Sequence, residues 1–193
     1  MFNSTKTLLM GATMLCFGGA AFAQDMNMTI AENGRSATNF TALVAAADAA
    51  GLTEMLMGPG PYTVFAPSND AFAVADPQVI ADLMLPENQE HLANLLKSHV
   101  IAGLYTSDDL KKIFGAGEVI NANDVNMKFE DGMINVQSLA GTSAHMFINL
   151  NGDEFDISAD ANNMVQAQIV EADIMSSNGV VHIIDHLLSP VAY

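Results

Sequence analysis

Few residues of this chain stand in patterns that could do chemistry. The densest group is Asn149, Asn151, Asp153, Glu154 and Asp156, oxygen-bearing side chains crowded into one short stretch. Such a group suits a hard cation, but a calcium loop needs its glycine and its closing glutamate at other positions in the run. No metal is therefore expected there, and the residues are read as the exposed tip of a hairpin that could touch a partner. His182 and His186 are four apart, which on a helix would be a metal pair. The local pattern alternates as in a strand, with Ile184 between them on the same face, so again no metal is expected. Met26-Asn27-Met28 and Met55-Leu56-Met57 offer soft thioethers that could hold copper. Tail and helix-end core are the readings preferred for them. His99 lies on the helical stripe of Leu92, Leu95, Leu96 and Val100, which predicts a buried, hydrogen-bonded core histidine. Ser68, Asn69 and Asp70 fall where a strand hands over to a helix, and are expected to satisfy its free N–H groups. The chain has no G-x-S-x-G elbow, P-loop, dinucleotide glycine fingerprint or H-E-x-x-H. Neither an enzyme nor a cofactor is expected.

The elements that position these residues are preceded by an export signal. Lys6 supplies a positive start, Leu8 to Phe17 a short apolar stretch, and Ala21-Phe22-Ala23 a cleavage site, giving a signal peptide over residues 1–23. The alternative, a retained anchor, needs a longer apolar run. Cleavage would remove Cys16, the sole cysteine, leaving no disulfide and no thiolate chemistry. All 22 acidic residues follow position 23, against five basic ones, so the mature net charge is −17. That field repels phosphate backbones, and nucleic acid is excluded as a partner. No later segment is long and apolar enough to span a bilayer, so a product that is not integral to the membrane, periplasmic or at the cell surface, is expected.

Residues 24–36 are polar and without period, and read as a flexible tail ahead of one domain over 37–192. Helices are predicted over Asn39–Ala50, from Ser68 through Phe72, from Asp76 through Met84, from Pro86 to His99 and over Ser107–Phe114. A strand is predicted at Tyr62–Phe65, after the rigid turn Gly58-Pro59-Gly60-Pro61. The second half changes to an alternating period. Asp131-Gly132 predicts a hairpin pairing Phe129 with Ile134 and Met127 with Val136. Asn151-Gly152 predicts another, pairing Ile148 with Phe155 and Met146 with Ile157. Val165–Ile174 and Val180–Leu188 close the chain as a last pair. The fold class is α+β, helices packed on largely antiparallel strands.

Three ordered stretches resemble the fasciclin domain family. Gly60-Pro61-Tyr62-Thr63-Val64-Phe65-Ala66-Pro67-Ser68-Asn69-Asp70-Ala71-Phe72 is similar to its first signature box. Asn94 to Ile101, followed by Gly103-Leu104-Tyr105-Thr106-Ser107, is similar to its central histidine box. Ala172-Asp173-Ile174 with Ser177 to Asp185 is similar to its closing box, which contains His182. The resemblance covers about residues 36 to 190. It implies a helical bundle on a β-wedge, secretion or surface display, and a role in adhesion or matrix contact with a macromolecular partner; the acidic charge, for its part, points to a cation-bridged contact. Animal members carry a tyrosine before the central histidine, associated with integrin contact; Ser98 stands there here. The hairpin over His145–Ile157 is longer than the family's usual one, which marks it as the place for a specificity of this chain's own. Some members carry pigments or lipids, so the resemblance also implies a second reading, a carrier of a small apolar ligand. Ten methionines after position 23 leave room for an adaptable pocket.

Overall fold

The computed structural model describes residues 26–116, 127–130, 132–141, 145–159 and 167–188. The expected export signal, Asp131 of the first predicted hairpin turn and Val165 of the last predicted strand pair lie outside the described residues. In chain order the helices are α1 (Ile30–Ser36), α2 (Thr41–Ala49), α3 (Thr53–Leu56), α4 (Asn69–Val74), α5 (Pro77–Leu83), α6 (Gln89–Ser98) and α7 (Ser107–Ala116). The strands are β1 (Tyr62–Pro67), β2 (Val100–Ala102), β3 (Met127–Glu130), β4 (Met133–Gln137), β5 (His145–Asn151), β6 (Glu154–Ser158), β7 (Ala167–Ser176) and β8 (Gly179–Ile184). Among the described residues they form one sheet in the order β2-β1-β8-β7-β6-β5-β4-β3. Every pairing is antiparallel except β1 with β8, where Tyr62 lies beside Gly179 and Pro67 beside Ile184. The α+β reading holds.

Local chemistry explains the element ends. Ser68 accepts from the Ala71 N–H at the start of α4, and Asp76 from the Gln78 N–H at the start of α5, where Pro77 needs no donor. Thr106 and Asp109 cap α7 reciprocally, with the Asp109 carboxylate accepting from the Thr106 hydroxyl and N–H. The β3–β4 register is as expected, Phe129 opposite Ile134.

Five expectations are corrected. Residues 30–36 are not tail but helix: Thr29 and Glu32 form a capping box, and Ile30 and Ala31 are buried against the sheet. The segment shows no apolar period because it buries little more than these two side chains. Pro86 opens a 3₁₀ turn, Pro86–Asn88, rather than α6 itself, and α7 runs past Gly115. β8 ends at Ile184, so His186 lies beyond it. Finally, β5 and β6 pair Ile148 with Ile157 and Leu150 with Phe155. The turn is Gly152-Asp153 rather than Asn151-Gly152. Gly152 takes φ 68° at the first central position, as a II′ turn requires. A slip of two keeps every side chain on its face, so Met146, Ile148 and Ile157 stay buried as the alternation demanded.

Three apolar clusters hold these layers. Ile134, Ile148 and Ile157 are fully buried with Phe65, Leu110 and Ile113 between α7 and the sheet; each contributes about 2 kcal/mol of burial. Val64, Val181 and Ile183 face the other way, toward Ile30 and Phe40 of the N-terminal helices. Ala46, Leu83, Leu92 and Leu95 bind α2, α5 and α6 together. β1 and β8 are thus buried on both faces, and their sequences read as near-continuous apolar runs.

Candidate functional site

The expected contact residues sit on the β5–β6 hairpin but do not act as one group. Asn149 is half-buried opposite Asp156, and Asn151 is opposite Glu154. Asp156 is buried and accepts from the Gln168 side chain at 2.9 Å, which makes it a tie to β7 rather than a surface ligand. Asn151, Asp153 and Glu154 are exposed around the Gly152 turn. Asp153 stands almost wholly in solvent, with Lys111 of α7 at 3.5 Å. Among the described residues no set of three His, Cys, Asp or Glu side chains is placed to hold a metal ion.

The residues of the signature boxes bind the fold to itself. Asn69 accepts from the Ala42 N–H at 3.0 Å and donates to the Thr38 carbonyl at 3.0 Å, joining the start of α4 to the start of α2. Asp70 lies exposed in the first turn of α4, suited to its positive end. His99 is buried, as expected, and both ring nitrogens are engaged. Nδ1 donates to the Leu95 carbonyl at 2.8 Å, and Nε2 accepts from the Leu188 N–H at 2.9 Å. These partners require the neutral ring, and burial pushes its pKa down to about 4.

His182 is completely buried and stacks on Phe65, with ring centroids 5.4 Å apart. Its Nε2 donates to the Tyr105 carbonyl at 2.9 Å and its Nδ1 accepts from the Asp173 N–H at 3.3 Å. Burial lowers its pKa too. His186 is half-exposed beside Asp185 at 3.0 Å, so the two histidines share no site. Ser107 approaches this corner, but its hydroxyl and N–H donate to the Asp173 carboxylate. A relay to a nucleophile needs the histidine beside the hydroxyl. Here the carboxylate occupies that place and caps α7, while Asp173 itself takes φ 63° to reach it.

An apolar cavity of about 300 Å³ lies between the N-terminal helices and the sheet. α1, α2 and α3 wall one side, and Val64, Ile174 and Val181 the other. Asn178 ties these helices to the sheet. Its side chain donates to the carbonyls of Leu56 (2.7 Å) and Gly58 (2.8 Å) and accepts from the Ile30 N–H (2.9 Å). At the rim, Arg35 of α1 bridges to Asp48 of α2 at 2.9 Å, and Asp48 also accepts from Thr53 of α3. Residues from many separate segments make this space, and no local pattern in the chain announces it.

With this geometry in hand, the chain can be set beside known proteins. The family model described as Fasciclin domain matches residues 38–190. Protein sll1483 of Synechocystis sp. is 34% identical over 170 residues, covering 87% of this chain and 77% of that one. Transforming growth factor-beta-induced protein ig-h3 of Sus scrofa is 35% identical over 156 residues, covering 79% of this chain but only 18% of that one. Among solved structures, the FAS1 domain pair of the insect cell adhesion molecule Fasciclin I superposes with a TM-score of 0.65 at 16% identity, covering 84% of this chain and 51% of that one. That likeness is one of fold. Box residues that knit the fold, the mixed helix–sheet architecture and the match over most of its length together place this chain in the fasciclin domain family.

Proposed function

We propose that this protein is an exported, non-catalytic interaction module that holds a cell-surface or matrix macromolecule through the tip of its β5–β6 hairpin. The observation that carries the reading is the tip itself: Asn151, Asp153 and Glu154 stand exposed on a two-residue turn, while the strands behind them are anchored by fully buried isoleucines. A rigid stem with a polar end is a contact surface whose ordering costs little on binding. The solved relative named as a cell adhesion molecule supports the same class of work. Among the described residues no helix is long and apolar enough to cross a membrane. A net charge of −17 after position 23 opposes an anionic surface, so the contact is bridged by divalent cations supplied between the two partners.

The test is retention of protein-coated beads on cells or matrix, with calcium and with a chelator. Wild type should be retained and lose retention in the chelator. The double variant Asp153→Asn, Glu154→Gln should be retained several-fold less while melting at the same temperature. Equal retention of the two would remove the hairpin from the contact. No retention of wild type on any surface would end the adhesion reading.

A further inference from the structure

The two methionine pairs, Met26-Asn27-Met28 and Met55-Leu56-Met57, are far apart in the chain and take no part in the hairpin contact. The fold brings them to one place. The Asn178 side chain accepts from the Ile30 N–H at 2.9 Å and donates to the carbonyls of Leu56 (2.7 Å) and Gly58 (2.8 Å). Met28 stands two residues before Ile30, and Met57 stands between Leu56 and Gly58. The neighbouring Ser177 N–H donates to the Met28 carbonyl itself at 2.8 Å. One turn, Ser177-Asn178, therefore holds both methionine segments, and α1 packs beside α3 next to it.

Three of these side chains stay out of the core. Met26 is 69% exposed, Met57 41% and Met28 38%. They are three of the eight large apolar side chains that stand exposed among the described residues, gathered at a single turn. Met55 alone of the four turns inward, to line the cavity. The expected readings, tail for the first pair and helix-end core for the second, are thus corrected: the Met28 backbone is tied to the sheet, and Met57 faces solvent.

A thioether is an uncharged, polarizable donor that favours soft ions. The oxygen atoms nearest to it are engaged, since the carbonyls of Met28, Leu56 and Gly58 already accept from Ser177 and Asn178. A hard cation such as calcium, which needs six or more oxygens, has no ready set here. Among the described residues no cluster of His, Cys, Asp or Glu forms a rival site. The acidic surface draws cations toward the molecule, and the unbranched methionine side chain adapts its shape to what it meets. We infer that Met26, Met28 and Met57 form a site at the Ser177-Asn178 turn for one soft monovalent cation of the copper(I) class, each supplying its sulfur. The ion is held without change of oxidation state.

The experiment is calorimetric titration of the full mature protein with silver nitrate in chloride-free buffer, silver(I) being an air-stable ion of the same soft, closed-shell kind. Wild type should bind one silver ion. The double variant Met28→Leu, Met57→Leu should bind about tenfold more weakly or worse, while melting as wild type does, because leucine keeps the volume of an exposed methionine. Met84→Leu, equally exposed but placed after α5, should bind as wild type. A thioether has no proton to lose, so affinity should hold between about pH 7 and 5.5, where a histidine site weakens.

Methionine-methyl NMR of wild type gives a readout independent of the variants. Silver should shift the methyls of Met26, Met28 and Met57 and leave those of Met84 and the buried Met146 unmoved. No saturable binding, shifts centred on Met84, full binding by the folded double variant, or loss of binding at the lower pH would each overturn the site. Zinc nitrate binding there as tightly as silver would overturn its preference for soft ions. Bead retention does not enter this outcome, so the methionine site and the hairpin stand or fall separately.

Discussion

Protonating His99 would set a proton on Nε2 against the Leu188 N–H, two buried donors facing each other at 2.9 Å. The folded state therefore keeps this ring neutral down to about pH 4, whereas the unfolded chain takes up the proton near the ordinary value of 6.5. The native preference is fully present above pH 6.5. It is lost as pH falls from there toward 4, because the unfolded state then binds the extra proton. The loss over that window is about 3 kcal/mol. His182, depressed by burial as well, adds in the same direction. Asp48 and Asp109, held low by hydrogen bonds from Thr53 and Thr106, lose their contributions only at still more acid pH.

The chain's own repulsion eases on acidification and works the other way, so the variant isolates the ring. His99→Ala should cost about 2–4 kcal/mol at pH 7, from the stranded Leu188 N–H and the lost packing. Its urea midpoint should then change less between pH 7 and 4.5 than that of wild type. Parallel pH profiles for the two proteins would show that the ring is not held neutral.

At the scale of elements, Asn178 does for α1 and α3 what His99 does for α6. Sitting in the β7–β8 turn, it reaches Ile30, Leu56 and Gly58 at once, and its own carbonyl accepts from the Tyr62 N–H. Gly60 packs so tightly on it that a Cβ there would come within 2.1 Å of the Asn178 carbonyl oxygen. Asn178→Ala should cost about 2–4 kcal/mol. Hydrogen exchange should quicken at Ile30 far more than at Ile148, which lies in the other half of the sheet. Equal change at both amides would mean that the loss is global and that Asn178 does not pin α1.

The same elements show what could be read beforehand. Phe129 opposite Ile134 followed from an Asp-Gly turn between alternating runs, a purely local signal. The β5–β6 register did not, because Asn151-Gly152 and Gly152-Asp153 are both acceptable turns and only pairing of Ile148 with Ile157 decides between them. α1 carried a legible cap, Thr29 with Glu32, yet its reason to fold is Asn178, almost the whole chain away. The buried state of His99 was visible in its stripe; its partner Leu188 was not. The cavity depends on spacing between layers, and nothing in a linear pattern encodes a space.

For the molecule as a whole, one pairing sets a condition on everything else. β1 lies between β2 and β8, and β8 is the last strand among the described residues. A fragment of residues 26–178 would have every described helix but would leave β1 with an open apolar edge, and would lack Val181 and Ile183 from the N-terminal core. Such a fragment should show no cooperative melt by circular dichroism, and adding a peptide of residues 179–190 should restore one. A cooperative melt of the fragment alone would show that the helices and β1 suffice.

The parallel β1–β8 pair is thus also a clock. β1 is complete at Pro67 and β8 begins only at Gly179; at ordinary synthesis rates on the order of 5–20 s separate the two, and until β8 arrives the centre of the sheet cannot close. A polypeptide whose sheet stays open through that interval is one a transport machinery can thread before it sets. For a protein proposed to work outside the compartment that makes it, a fold whose β1 waits for β8 is a built-in delay.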